Sequence, residues 1–234
     1  DQINLNLEKN RGVAKNATIK FYGVPILYTP KYSWVLNGRG SGFLTPNYST
    51  YAEPGVAYNS TSLRVPYYFN IAPDRDLLLA LTVMSSRGLT YEGKYRKLIA
   101  PKISPDHEDS MWSIEAKYLP EDKITKLKRW LINFSEDMDI NHKTHLSAQY
   151  FRVSDAQYFN EIARKNNSSE DTTLKSHIKF SYDDEDNNLS AALLTEDNQV
   201  INAGVPVYSR ALEGSISKTF TIDNNQSEKN KLIK

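Results

Sequence analysis

The sequence contains no cysteine, which excludes a disulfide framework, a thiolate metal site and a cysteine nucleophile within these residues. It also lacks any apolar run near the roughly 20 residues that a membrane-spanning helix needs. No charged segment followed by an apolar stretch opens the chain, and its first residue is Asp1 rather than methionine, so we expect a processed or excised chain. A transmembrane β-barrel is compatible with these absences, because its strands alternate and are rather polar overall.

A dominant charge of one sign is missing as well. The chain has 29 basic and 28 acidic residues among 234, so it offers no basic surface for nucleic acid or for an anionic membrane. Its length suffices for one large β domain or two smaller ones. Aromatic residues are abundant for such a hydrophilic chain, with 15 tyrosines, three tryptophans and eight phenylalanines.

Alternation of apolar and polar residues predicts antiparallel strands with one wet face. In "MWSIEAKYLP" the residues Trp112, Ile114 and Tyr118 fall on one face, and "KSHIKFSYDD" follows the same pattern. Short polar segments such as "SSRG" and "DDEDNN" suit hairpin turns. A longer connection holds "AQYFNEIARK", for which we predict a short helix with Asp155 as its N-cap.

The first 40 residues are denser in apolar side chains and end at "NGRGSG", so we place a boundary near residue 40. Just after it, "SGFLTP" and "LRVPYY" read as neighbouring strands that carry Pro46 and Pro66. Proline donates no ladder hydrogen bond and belongs at sheet edges or bulges. Two prolines inside adjacent strands therefore need an explanation.

Motifs for chemistry are weak in this sequence. It has no nucleophile elbow, phosphate-binding loop or dinucleotide fingerprint. His142 and His145 would point to opposite faces of a strand, and we predict no metal site, cofactor or catalytic residue. A soluble all-β glycan-binding module stays open as an alternative, whereas a carbohydrate-active enzyme would need two converging carboxylates that the order of residues does not single out.

Several segments resemble the LptD family of lipopolysaccharide-assembly proteins from the Gram-negative outer membrane. The resemblance rests on these stretches, in the family's order: "YTPKYSW", "SGFLTP", "PYYFNIAPDRD", "SSRGLTYEGKYR", "KRWLINF" and "YFRVSDAQYFNEI". It covers most of the chain and is densest from residue 16 to 98. The fold that it implies is all-β, the end of a periplasmic β-jellyroll (residues 1–40) followed by the first strands of a large transmembrane β-barrel (residues 41–234). The barrel would be incomplete.

The resemblance implies transport of lipopolysaccharide without bond chemistry, and it implies partners. These are a LptE-type plug lipoprotein in the barrel lumen and a LptA-type periplasmic bridge protein that reaches the jellyroll. Pro46 and Pro66 match prolines that are held to loosen a lateral gate in the first two barrel strands. Alternation selects the residues expected to line the path of the acyl chains, which are Ile19, Phe21, Val24, Ile26 and Tyr28.

Overall fold

A computed structural model describes seven ranges of the chain: 2–8, 10–21, 24–53, 55–100, 110–163, 173–201 and 208–220. Within them the chain forms two antiparallel β-sheets, one with three strands and one with eleven. The predicted all-β class is confirmed. None of the helical structure in these ranges is long and apolar enough to cross a membrane.

The small sheet has the order β1 (Gln2–Asn6), β2 (Arg11–Phe21) and β3 (Val24–Val35). Its β2–β3 ladder pairs Thr18 with Tyr28 and Ile19 with Leu27, and the register then shifts before Lys20. Alternation along the sequence therefore does not carry across this point, because a register irregularity changes which residues share a face.

From β6 to β14 each strand of the large sheet pairs with its neighbours in sequence. Its order runs from β14 back to β6, and two short strands, β4 and β5, both pair with β6 at the opposite edge. The strands are β4 (Gly42–Phe43), β5 (Asn47–Tyr51), β6 (Ser60–Ala72), β7 (Arg75–Met84), β8 (Gly88–Ala100), β9 (Ser110–Leu119), β10 (Arg129–Asn141), β11 (Thr144–Val153), β12 (Thr173–Asp184), β13 (Leu189–Val200) and β14 (Arg210–Lys218).

The two faces of the large sheet differ in chemistry. On one face of β7, Leu79, Leu81 and Val83 are 43% to 54% exposed, and we call this the apolar face. The other, the polar face, carries Asp76 on β7 and the ion pair between Arg64 and Glu92. The strands predicted from "MWSIEAKYLP" and "KSHIKFSYDD" are present, with Ile114, Tyr118, Ile178 and Phe180 exposed on the apolar face.

The connections alternate between two ends of the large sheet. Those that follow β6, β8, β10 and β12 leave from one end, which we call the turn end, and the link at residues 36–41 from the small sheet enters there. The connections after β5, β7, β9, β11 and β13 leave from the loop end. The segment at residues 154–163 follows β11 at the loop end.

At the loop end, side chains of that segment pack into a buried cluster. The predicted helix is only a π-helix, Phe159–Ala163, and Asp155 caps the turn before it by accepting a hydrogen bond from the Gln157 N–H (3.0 Å). Within the described residues of "AQYFNEIARK" the π-helix begins only at Phe159, and burial of Tyr158 and Phe159 fixes this segment more than helical propensity does. The buried cluster consists of Leu131, Val153, Tyr158, Phe159, Leu174 and Ile201.

Candidate functional site

The edge strand of the large sheet is broken at Pro46. β4 pairs Phe43 with Tyr67, and pairing resumes where β5 sets Asn47 opposite Arg64. The edge strand advances four residues from Phe43 to Asn47, whereas β6 advances three from Tyr67 to Arg64. The edge strand therefore has one extra residue at the break. We expected a proline within a strand; the structure puts Pro46 in the break between two short strands, because it cannot continue the ladder there.

Pro66 lies inside β6, opposite Ala80 of β7. Its carbonyl accepts a hydrogen bond from the Leu44 N–H at 3.0 Å, on the side of the edge strand. In an antiparallel ladder the N–H and C=O of one residue point to the same neighbour, so the missing N–H of Pro66 also faces the edge strand. The Leu44 carbonyl instead accepts a hydrogen bond from the Tyr32 hydroxyl of β3, at 3.1 Å. Both prolines therefore weaken the same strand pair.

A row of aromatic rings crosses from the small sheet to the edge of the large one. The Tyr32 ring lies 5.8 Å from that of Trp34 and is stacked on Phe43 at 5.6 Å. Phe43 meets Tyr67 edge-on at 4.9 Å, and Tyr67 lies 4.5 Å from Phe69. Since Tyr67 is opposite Leu79 in the ladder, this aromatic row ends on the apolar face.

The five residues chosen for the acyl path lie in β2 and β3 of the small sheet. The side chains of Ile19, Phe21, Val24 and Ile26 are outside the described part of the structure. Tyr28 is 62% exposed, and its hydroxyl is 3.2 Å from the Asn16 Oδ1 atom. The lining of an acyl path by these residues stays a prediction.

An open cleft of about 990 Å³ lies where the two sheets meet, and we call it the junction cleft. Arg39, from the link, donates to the Pro73 carbonyl (2.8 Å) and to the Tyr68 hydroxyl (3.2 Å), and its Nη2 is 3.2 Å from the Asp76 Oδ2. Arg96 donates to both oxygens of the same carboxylate, at 2.9 and 2.8 Å. This arrangement ties the link to the β6–β7 turn.

Six charged side chains form a second, more deeply buried group at the loop end, which we call the arginine cluster. Arg87 makes a bidentate pair with Glu53 (2.7 and 3.2 Å) and also contacts Asp122. Arg129 donates to Asp122 (3.3 Å), Asp155 (2.8 Å) and Glu161 (2.8 Å), and Arg87 donates to Glu161 as well (3.1 Å). The two guanidinium groups thus contact four carboxylates: those of Glu53, Asp122 and Asp155 from three connections, and that of Glu161 from the π-helix.

The arginine cluster is buried, and the contacts within it outweigh the effect of burial on the pKa values of Asp122 and Arg87. The side chains of Arg87, Glu53 and Asp122 are 3%, 1% and 0% exposed. Burial alone would raise the pKa of Asp122, but the Ile124 N–H and the charge of Arg87 outweigh it and hold that pKa below its ordinary value. Burial alone would likewise lower the pKa of Arg87, and its partners Glu53 and Asp122 raise it instead. Asp122 and Arg87 are therefore charged at neutral pH.

His142 and His145 both line one small cleft at the turn end of the large sheet. His142 lies in the β10–β11 turn, and His145 in β11 places its Nδ1 2.8 Å from an Asp139 oxygen. Across the described ranges, no group of three or more histidine, aspartate and glutamate side chains could hold a metal ion. His107 lies outside those ranges.

Sequence reasoning missed both arginine groups. Arg39, Asp76 and Arg96 stand in the quoted stretches "NGRG", "PDRD" and "KYRK", yet their contacts join residues 20 to 37 apart. Arg87 reaches Glu161, 74 residues away. The available signal was local and partial: Arg39, Arg87 and Arg129 each follow or begin a strand, where a charged group can reach neighbouring connections, whereas Arg96 lies inside β8.

An antiparallel sheet with one exposed apolar face and one charged face is the pattern of a strand-built outer-membrane protein. Comparison with known proteins defines the family. The family model described as LPS transport system D matches residues 127–221. The LPS-assembly protein LptD of Nitrosospira multiformis is 33% identical over 181 residues, covering 77% of this chain and 18% of that protein.

Two further relatives agree, both LPS-assembly proteins LptD. The protein of Idiomarina loihiensis is 30% identical over 204 residues, with 86% of this chain and 25% of the relative covered. That of Cupriavidus necator is 33% identical over 183 residues, with 76% and 20% covered. The chain belongs to the LptD family, and it spans about a fifth to a quarter of the length of these relatives. Its all-β architecture fits the jellyroll and barrel of that family, which is found in the outer membrane of Gram-negative bacteria.

Proposed function

We propose that this chain is the part of a lipopolysaccharide-assembly protein in which the lipid passes from the periplasmic side into the outer membrane. On this proposal residues 1–40 are the end of a periplasmic β-jellyroll, and residues 41–234 are the first portion of the barrel. Transport requires no bond chemistry, and the relatives are named for assembly of LPS rather than for a reaction.

The physical problem is that the cargo is an amphiphile. Its acyl chains must stay out of water, whereas its sugars must stay out of the hydrocarbon core. The sheet supports such a division, because its polar face would line a wet lumen and its apolar face would meet lipid. A lateral exit then needs a strand pair that opens at modest cost.

One observation carries the proposal: the edge strand pair is short of hydrogen bonds at Pro46 and Pro66, and the aromatic row leads to that place. Each missing ladder bond removes about 0.5–1.5 kcal/mol of net stabilisation. Opening beside the break would deliver acyl chains from the small sheet along Tyr32, Phe43 and Tyr67 onto the apolar face. Ile19, Phe21, Val24, Ile26 and Tyr28 would line the path before that point.

The partners follow from the same proposal. A LptE-type plug lipoprotein would occupy the lumen against the polar face of the large sheet. A LptA-type bridge protein would supply LPS through the jellyroll to which the small sheet belongs. The periplasmic side is then the turn end, where the link from the small sheet enters.

The test is to replace Pro66 with alanine in the complete protein. The backbone N–H that Pro66→Ala introduces would face the Leu44 carbonyl and add one bond to the pair, so we expect LPS delivery to the cell surface to slow by about two- to tenfold. Pro46→Ala should act in the same direction by allowing the edge strand to run through the break. Surface LPS is measured by pulse labelling.

Pro30→Ala is the matched control, because Pro30 is an exposed proline of β3 in the small sheet and lies outside the edge pair. It should leave delivery unchanged. Normal delivery in Pro66→Ala and Pro46→Ala cells that contain wild-type amounts of assembled protein would contradict the gate.

A further inference from the structure

We propose that the junction cleft is a binding site for a phosphate-bearing amphiphilic lipid, with the phosphate at Arg39 and Arg96 and the acyl chains against the aromatic row. This inference rests on the proposed function, since it assigns a resting place to the lipid that the gate would release. It adds a charged recognition site to a path otherwise formed by apolar residues and prolines.

The cleft has two chemically different walls. One carries Tyr32, Trp34 and Phe43 of the aromatic row, together with Leu44. The other carries guanidinium groups from the link, from the start of β7 and from β8. Because Phe43 pairs with Tyr67 while Tyr68 and Asp76 lie on the polar face, the cleft lies where the apolar and polar faces meet at the edge strand. An amphiphile is the class of ligand that satisfies both walls at once.

The guanidinium groups are fixed in place and partly exposed, so they can bind an anion. Arg39 and Arg96 bond to the same Asp76 carboxylate, which sets them side by side, and their side chains remain 51% and 45% exposed. Arg75 lies beside them, paired through its Nε with Asp74. Three arginines and two aspartates leave the cleft lining with an excess of one positive charge.

Arginine suits phosphate better than lysine does at such a place. A guanidinium presents five donors in a planar fork, and the contacts of Arg96 to Asp76 engage only its Nε and Nη2. Its remaining donors can bond phosphate oxygens, and charge-assisted bonds of this kind are among the stronger ones in proteins. Tyr68, whose hydroxyl donates to Asp76 at 3.1 Å, helps to keep the carboxylate in place.

The experiment compares two lipid probes on the complete protein in detergent. One probe is the acylated, phosphorylated anchor of LPS, and the other is the same anchor after removal of its phosphates. The wild-type protein should bind the phosphorylated anchor at least about tenfold more tightly, and Arg96→Gln should remove most of that difference. Arg96→Lys should restore only part of it, because lysine keeps the charge but not the fork.

Arg64→Gln is the matched control, since Arg64 lies on the polar face in an ion pair with Glu92 and does not line the cleft. It should preserve the preference for the phosphorylated anchor. Equal binding of both anchors by the wild-type protein would overturn the inference, and so would an Arg96→Gln protein that is folded but keeps the full preference. If the wild-type protein delivers LPS but binds both anchors equally, only this inference fails. If the wild-type protein does not deliver LPS, the proposed function fails.

Discussion

Removing Arg87 should loosen the loop end of the large sheet. Arg87→Gln leaves the Glu53 and Asp122 carboxylates buried with less compensation, because both lose a guanidinium partner. Breaking a buried pair by removing one partner costs about 3–5 kcal/mol. Asp122 keeps its contacts with Arg129 (3.3 Å) and with the Ile124 N–H (2.9 Å), so we expect the low end of that range, about 3 kcal/mol.

Hydrogen exchange of the complete protein in detergent measures this cost locally. A loss of about 3 kcal/mol corresponds to exchange of the protected amides at the loop end that is faster by roughly 100-fold. The increase should include β5 and the N-terminal part of β8, which Glu53 and Arg87 adjoin in sequence. Exchange near the β6–β7 turn should not change, since that turn lies at the other end of the sheet.

Two variants test whether the buried charges cause the faster exchange at the loop end. Arg64→Gln removes a more exposed arginine from the polar face and should leave exchange at the loop end unchanged. Arg87→Gln combined with Glu53→Gln should recover part of the loss, because it removes one of the carboxylates that were left without full compensation. A less than roughly threefold effect of Arg87→Gln on these amides would refute the reasoning.

Two other predictions concern titration and the Tyr32 hydroxyl. The folded-state pKa of Asp122 is depressed, so its contribution to stability is fully present above its unfolded value of about 4 and is lost as the pH falls through the lower folded value. The thermal midpoint of the complete protein should therefore show no loss from Asp122 between about pH 8 and 5 and a fall below about pH 4, and Asp122→Asn should reduce that fall. Tyr32→Phe removes the hydroxyl that bonds the Leu44 carbonyl, and should speed exchange of the Leu44 amide by about two- to tenfold. In a Pro66→Ala background the same change should cost less, because the backbone N–H gained at position 66 can bond that carbonyl; equal effects in both backgrounds would contradict the assignment.

The sequence predicted the strands well because each carries its own period. Trp112, Ile114 and Tyr118 alternate with polar residues whatever the rest of the chain does, and the strand Ser110–Leu119 follows them. The helix in "AQYFNEIARK" was only partly right, since Tyr158 and Phe159 are fixed by burial against Leu131 and Val153 rather than by local propensity. Tertiary packing decides such short segments.

The charged groups of the site could not be predicted in the same way. Arg87, Asp122 and Glu161 come together only because three connections leave the sheet from the same end. No local pattern sets Arg39 of the link beside Arg96, which lies far along the chain in β8. The register of β2 and β3 is a similar case, because the shift after Ile19 breaks the alternation on which the choice of acyl-path residues depended.

The two prolines act at one place in the edge strand, and its ends are held by other means. At the loop end Glu53, two residues beyond β5, is fixed to Arg87; at the turn end the Ser41 hydroxyl accepts a hydrogen bond from the Asn70 N–H at 2.9 Å. Between these points the ladder is interrupted by the break at Pro46 and by the missing N–H of Pro66. The bond from the Leu44 N–H to the Pro66 carbonyl lies there, with regular pairing on either side. A strand fastened at both ends and weakened in its middle separates first at the middle, because that is where the fewest bonds must break. The proposed gate would therefore open at Leu44–Pro46, next to the aromatic row. The amides of Leu44 and Thr45 should be less protected from exchange than those of Ser49 and Gly42.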